Sequence, residues 1–300
     1  MGTYLAIDIG GTKLAAGVVD DDGHVLARTE RPTDRADPWP GLAAIVTATL
    51  EGASAGRPTA VGVGCGGPMT AGGDLVSPLN ILGWRDFPLR PRLAGLTGLP
   101  VVVDNDAKAL ALGEGWRGAA RGCSNFLAMV VSTGVGGGIV LDGRLLDGAD
   151  GNAGHVGHLV VEPDGRPCPC GSRGCLEAEA SGPAIAAITG LPPADAPLAV
   201  RERTGRLVGR AVADVCVLLD LGLAVVAGSV ALGFGKVFFA AAQAELDRRA
   251  RISFARGARI VPAGLGAEGP LIGAAAVARR TVVGAGRDPQ ADRPVLPAGG

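Results

Sequence analysis

Residues 3 to 20 read TYLAIDIGGTKLAAGVVD, and residues 126 to 143 read FLAMVVSTGVGGGIVLDG. Each is an apolar run that halts at a glycine-rich turn, resumes as a second apolar run and ends at an Asp-containing turn. The pattern predicts strand, glycine turn, strand. In the first copy the turn is Gly10-Gly11-Thr12-Lys13, with Asp8 just before it; in the second it spans Ser132 to Gly138 and contains Thr133, Gly134, Gly136 and Gly137. Such a turn lets backbone N–H groups approach a phosphate, while the preceding carboxylate faces the magnesium that accompanies it. One copy alone reads equally well as an ordinary glycine-rich hairpin. Two copies about 120 residues apart imply two similar halves closing on one nucleotide. Other phosphate loops fit badly. No GxxxxGK[ST] occurs, and the GxGxxG from Gly62 to Gly67 runs into Pro68 rather than a helix.

Between the copies, helical and extended patterns alternate. Gly41 to Glu51 and Leu89 to Leu96 read as helices, and Ala60 to Gly64 and Val101 to Val103 as strands. Interleaving of this kind argues for an α/β sheet. The next stretch, VVVDNDAKALALGEGW, places Asp104 or Asn105 where a helix cap belongs and Asp106 in the first helical turn. That is the carboxyl edge of the sheet, where open α/β folds bind ligands. Asp106 then reads either as a helix-dipole partner or as a reactive carboxylate, ionised at neutral pH with an ordinary pKa of about 3.9.

Residues 153 to 177, AGHVGHLVVEPDGRPCPCGSRGCLE, gather two of the three histidines and three of the six cysteines. Cys168, Cys170, Cys175 and His158 form a complete Cys3His set for tetrahedral zinc, with no open position, so the expected role is structural. The alternative is a disulfide with one stray thiol, which the CxC spacing strains. His155 and Glu177 are not needed as ligands, and a metal-pinned loop would hold them in fixed directions toward a small polyhydroxy ligand. Further on, Ser181 starts a helix with Pro183 in its first turn. Residues 192 to 197 read as a loop, 205 to 220 as a helix, 223 to 227 as a strand and 228 to 230 as a turn. Residues 235 to 250 and 270 to 280 are helical, and 284 to 300 form a flexible tail.

A net charge of −1 gives no reason to expect a nucleic acid or a membrane surface as partner. The uncharged run from Leu221 to Gly235 is glycine-broken and shorter than the about 20 apolar residues of a spanning helix. MGTYLAIDIGG carries no basic leader, so a cytoplasmic location is expected, where thiols bind metal.

These residues together resemble the ROK family of sugar kinases and related repressors, over roughly residues 3 to 283. The resemblance rests on DIGGTK at 8 to 13, VDNDA at 103 to 107, STGVGGG at 132 to 138, AGHVGH at 153 to 158, CPCGSRGCLE at 168 to 177 and AGSV at 227 to 230. It implies an α/β, actin-like (ribonuclease H-like) ATPase fold with two lobes around a central cleft and a zinc-pinned loop. The expected lobes are residues 1 to 118 and 119 to 283. It further implies ATP with Mg2+ as cofactor, structural Zn2+ on His158, Cys168, Cys170 and Cys175, and Asp106 as catalytic base. Asp8, Gly10, Gly11, Thr12, Lys13, Thr133, Gly134, Gly136, Gly137, Gly228 and Ser229 would lie at the phosphates. Gly67, Asn80, Asn105, Asp106, His155, His158 and Glu177 would contact a hexose or N-acylhexosamine. Family members are often dimers or tetramers.

One departure bears on the substrate, because most kinases of the family carry glutamate where this chain has His155. A branch of N-acetylmannosamine kinases carries AGHxGH. A neutral histidine offers one donor and one acceptor, so the exchange suits a substrate with an acceptor there, such as the carbonyl oxygen of an N-acetyl group. Against this, glucokinase is the family's commonest activity in chains of this size. Two other readings stay open at this level. A sugar-responsive repressor would need a DNA-binding module ahead of Asp8, and an actin-like or chaperone-type ATPase would have no use for the cysteine loop.

Overall fold

The computed structural model describes residues 2–53 and 56–284. Its first half opens with β1 (Thr3–Ile9), β2 (Lys13–Asp20) and β3 (Val25–Pro32), then α1 (Trp39–Glu51), β4 (Ala60–Cys65), α2 (Leu89–Thr97), β5 (Val101–Asn105) and α3 (Asp106–Arg117). The second half repeats the plan. Its strands are β6 (Phe126–Val131), β7 (Val135–Leu141), β8 (Arg144–Leu145), β9 (Leu223–Ala227) and β10 (Arg259–Pro262). Its helices are α4 (Leu176–Ala180), α5 (Gly182–Thr189), α6 (Leu198–Leu219), α7 (Ser229–Arg249) and α8 (Gly269–Gly284).

The two sheets run β3-β2-β1-β4-β5 and β8-β7-β6-β9-β10. In each, three antiparallel strands are followed by two that lie parallel to the first. The expected repeat is therefore one of topology as well as of sequence, and the fold is the actin-like two-sheet α/β arrangement. The strands nearest each sheet centre are apolar almost throughout because helices cover both faces. One face of the first sheet packs Leu5, Ile7, Val61 and Val63 against Leu42, Val46 and Leu93 of α1 and α2. Its other face packs Tyr4, Ala6 and Ala15 against Leu271, Ala274 and Ala278, so the last helix returns to the first half. A Cβ on Gly62 would lie 1.9 Å from the carbonyl oxygen of Ala274. Gly62 and Gly64 of that motif are thus residues of β4, Gly62 made small by α8, and the motif is not a dinucleotide loop.

Several elements differ from the sequence reading. The second glycine turn is only Ser132 to Gly134, since β7 begins at Val135 and Gly136 to Gly138 lie within it. Helix α6 begins at Leu198 rather than 205. Its first turns are rich in charge, and Arg203 reaches the buried Glu179 at 2.6 Å, so polar residues there serve tertiary pairing. Residues 193 to 195 form a short 3-10 turn inside the expected loop. The expected turn at 228–230 is the start of α7. Gly228 supplies the left-handed N-cap at φ 99°, and Gly235, at φ 58°, interrupts the helix where the sequence suggested a beginning. The expected tail beyond Gly284 lies outside the described residues. Among the described residues no helix is long and apolar enough to cross a membrane.

Candidate active site

A cleft of about 330 Å³ opens between the two sheets, lined from both halves. From the first come Gly10, Gly11, Thr12, Gly67, Asn80, Asn105 and Asp106; from the second come Thr133, Gly134, Gly136, Gly137, His155, His158 and Glu177. Of the residues singled out in the sequence, Asp8, Lys13, Gly228 and Ser229 lie behind or beside this lining rather than in it.

The carboxylates sit where the parallel strands end. Ile9, Cys65 and Asn105 are in register across β1, β4 and β5, so Asp106 emerges one residue past the sheet edge as the first residue of α3. Asn105 caps this helix by accepting from the Ala107 N–H at 3.0 Å. Asp8 lies one residue inside the edge on β1, opposite Gly64. Gly64 lies between the two acids: a Cβ there would stand 3.7 Å from the Asp106 Cα and 3.9 Å from Asp8 Oδ1, ordinary contact distances.

Asp106 is open to the cleft, yet protein crowds it on its other sides. Its carboxyl does not keep its ordinary pKa. Burial pushes it upward, and the Ala107 N–H, 2.8 Å from Oδ1, opposes part of the rise. Asp8 is pushed up to about 7, first by burial and then by the charge of Asp106, against the pull of Lys13 and Arg28. Lys13 itself pairs with Glu30 at 3.1 Å on the neighbouring strand.

The first glycine turn is held from outside. Gly10 N–H donates to the Lys13 carbonyl at 3.0 Å, Thr33 Oγ1 donates to the Gly10 carbonyl at 2.7 Å, and Arg35 Nε donates to the Gly11 carbonyl at 2.9 Å. A Cβ on Gly11 would come 2.7 Å from Cβ of Asn80, which explains the glycine and places Asn80 on the turn. The glycines of β7 have a different cause. Cβ atoms on Gly136 and Gly138 would meet Ala107 and Ala111 of α3, and one on Gly137 would meet Val156 at 2.9 Å. They are small because a helix and a loop press on the strand. Beside the second turn, the hydroxyls of Ser132 and Ser229 are 2.9 Å apart, which brings the start of α7 to the turn.

The other wall is the cysteine loop. His158, Cys168, Cys170 and Cys175 each offer a ligand atom, all within 4.8 Å of one another. The separations are 3.7 Å between Cys168 Sγ and His158 Nδ1 and 3.7 Å between Cys170 Sγ and Cys175 Sγ. Tetrahedral zinc with Zn–S near about 2.3 Å requires edges of about 3.8 Å, whereas a disulfide requires about 2.05 Å. The donor set fits zinc. Because His158 Nδ1 faces the sulfurs, its Nε2 is the nitrogen left for the cleft. Glu177, in the first turn of α4, accepts the Val135 N–H through Oε2 at 2.8 Å and leaves Oε1 for a ligand.

His155 Nδ1 is 2.8 Å from the carbonyl oxygen of Asn152. A carbonyl only accepts, so Nδ1 carries the proton and the Nε2 of a neutral ring is an acceptor. The one donor of a neutral ring is then occupied inside the protein, and Nε2 is left as an acceptor.

Sequence reasoning passed over Arg35 and Asn152. Asn152 acts through its backbone carbonyl, for which no residue-type signal exists. Arg35 follows β3 at a distance from any motif.

The raised Asp8 sets a test. An acid whose folded pKa exceeds its unfolded value binds more protons when folded, so stability falls as pH rises between the two values. In metal-free protein, thermal unfolding should move to lower temperature between about pH 4, the unfolded value, and about pH 7, the folded one. Asp8→Asn should flatten that slope and be more stable than the parent at pH 8. Calorimetry over this range decides it, and parallel curves for the two proteins would exclude the raised value.

The sequence profile of the ROK family matches residues 4–281. Among similar proteins, a glucokinase from Halalkalibacterium halodurans is 42% identical over 196 residues, 62% of this chain and 58% of the relative. The aligned region thus spans less than two thirds of that relative's length. An N-acetylmannosamine kinase from Citrobacter koseri is 41% identical over 247 residues, 77% of this chain and 84% of the relative. Among solved structures, a ROK family glucokinase from Streptomyces griseus, in complex with glucose and AMPPNP, aligns at a TM-score of 0.79 and 33% identity. It covers 93% of this chain and 100% of that one. With the duplicated sheets, the paired glycine turns and the Cys3His loop at the expected positions, the chain belongs to the ROK family.

Proposed function

We propose that the chain is an ATP-dependent hexose kinase that transfers the γ-phosphoryl group to the 6-hydroxyl of an aldohexose. The observation that carries this reading is the meeting, in one cleft, of Asp106, both glycine turns and the wall of His155, His158 and Glu177. Phosphoryl transfer asks chiefly for positioning and charge stabilisation, so one well-placed base suffices. The hydroxyl oxygen bonds to the γ-phosphorus as the bond to the leaving ADP oxygen breaks, and Asp106 takes the hydroxyl proton. Burial of Asp106 suits it to this role, since a raised pKa makes the carboxylate a better base. The N–H groups of the two glycine turns are placed to hold phosphate oxygens. Magnesium, when bound, would supply charge neutralisation, and Asp8 is the residue that would hold it.

His158 Nε2, Glu177 Oε1, Asn105 and Asn80 form the hexose side. Zinc on the four ligands would fix the loop that carries His155, His158 and Glu177. For the hexose we favour glucose. An acceptor at His155 Nε2 takes a hydroxyl proton, the same service that an ionised glutamate gives. N-acetylmannosamine is the second reading, favoured by the AGHVGH motif and by the longer match to the Citrobacter relative. In that case the ring would accept the amide N–H of the acetamido group. We place the protein in the cytoplasm and expect a homo-oligomer, a dimer or tetramer, in line with the family resemblance.

Asp106→Asn keeps size and shape and should retain nucleotide binding while lowering kcat by roughly 10²–10⁴-fold. Near-normal turnover in a coupled ADP assay removes Asp106 from the mechanism. Chelation, or Cys170→Ser, should raise the hexose KM far more than the nucleotide KM, because the loop serves the hexose. Elemental analysis that finds no zinc in active protein refutes that assignment. His155→Glu preserves an acceptor, so the ratio of kcat/KM for glucose to that for N-acetylmannosamine should change by less than about threefold. A shift toward glucose of about 10-fold or more, equivalent to about 1.4 kcal/mol, means that His155 does read an acyl oxygen.

A further inference from the structure

Lys108 is the second residue after Asp106 on α3, and its side chain is 2% exposed. A buried ammonium is costly unless its donors are used. Here Nζ donates to Asp147 Oδ1 at 2.8 Å and to the Gly151 carbonyl at 2.9 Å, and it lies 3.6 Å from Asp104 Oδ1. Arg280 of α8 completes the group, 3.5 Å from Asp104 and 3.7 Å from Asp147. Two cations and two carboxylates balance, so the cluster has no net charge to attract an ion.

The geometry of the partners is more informative than their charge. Asp147 and Gly151 belong to one segment, closed on itself by the Ala153 N–H donating to the Asp147 carbonyl at 3.0 Å. Gly148 and Gly151, at φ 76° and 80°, let the chain curl that tightly. The segment has almost no apolar core, so the ammonium of Lys108 fills its centre. The next residue, Asn152, presents the carbonyl that takes the Nδ1 proton of His155.

We infer that Lys108 is a positioning residue for hexose recognition, since it anchors the 147–153 loop to the helix that begins at Asp106 and thereby fixes the tautomer and direction of His155. It touches neither substrate. Its effect passes through the Gly151–Asn152 peptide to one imidazole, so loss of the anchor leaves a ring free to exchange tautomers and rotate. This rests on the hexose-kinase reading for its kinetic consequence, but not for its structural one.

The test uses the whole protein with Lys108→Met, which keeps length and apolar stem, and Asp147→Asn, a milder change at a half-exposed position in case the methionine variant fails to fold. With only three histidines, imidazole ¹⁵N spectra report the tautomer directly. The parent should show His155 protonated at Nδ1, and the variants should show a tautomer mixture. In assays, the hexose KM should rise by about 10-fold to 100-fold while kcat and the nucleotide KM stay within about threefold. In a His155→Ala background the same substitutions should add little. An unchanged imidazole spectrum in both variants overturns the inference whether or not the parent phosphorylates a sugar. So does an effect on hexose KM that is fully additive with His155→Ala, or a loss shared equally by kcat and both KM values. A parent that phosphorylates no hexose but shows the tautomer change refutes the kinase reading and keeps the positioning role.

Discussion

A helix lies between two sheets only if bulky side chains are missing where the backbones cross, and α3 meets that constraint on every side. Toward the second sheet, Gly136 and Gly138 of β7 face Ala107 and Ala111. Toward α8, a Cβ on Gly113 would lie 3.0 Å from the backbone of Gly273. Close packing of this kind gains dispersion contacts and fixes the axis of the helix to a fraction of an ångström. The functional consequence is direct, because Asp106 is the first residue of that helix and Lys108 is on its first turn. Farther along, the buried Glu114 accepts the N–H groups of Ala119, Gly264 and Leu265, at 2.6, 3.0 and 3.2 Å. Both segments in which the chain passes between its halves are therefore bound to the same helix.

Placing two carboxylates at one sheet edge works against stability. Burial raises the proton affinity of both acids, and the charge of Asp106 raises that of Asp8 further. A cation entering between them would relieve that repulsion, and a basic Asp106 gains driving force for taking a proton. The pair flanks Gly64 of β4 at the carboxyl edge of the first sheet.

The architecture was legible because its signals are local and repeated. Each hairpin alternates apolar strand with glycine turn, and the repeat spans the chain, so the two similar halves followed from sequence. The ligand set of the cysteine loop was legible because thiols and imidazoles are few and closely spaced. What escaped the sequence depended on distant partners. The early start of α6 required knowing that Arg203 meets Glu179, and that the glycines of β7 also make room for a helix could not be read without α3 in place. The pKa of Asp106 and the tautomer of His155 are properties of surroundings, and a sequence specifies the side chain but not the carbonyl it will meet.

Glu177 connects these levels. Its carboxylate is delivered by α4 immediately after the last cysteine, yet one oxygen is spent on the N–H of Val135, the first residue of β7 after the second glycine turn. A charged acceptor bonded to a backbone amide is among the stronger single contacts available, at about 1.5–3 kcal/mol. The cysteine loop and the glycine turn are consequently not independent walls. Any shift of the loop pulls on the peptide that follows the turn, and any ordering of the turn by an anion steadies the carboxylate whose other oxygen faces the hexose side. On the proposed kinase reading, a cleft built this way favours both ligands present together, since each restrains a group that the other uses.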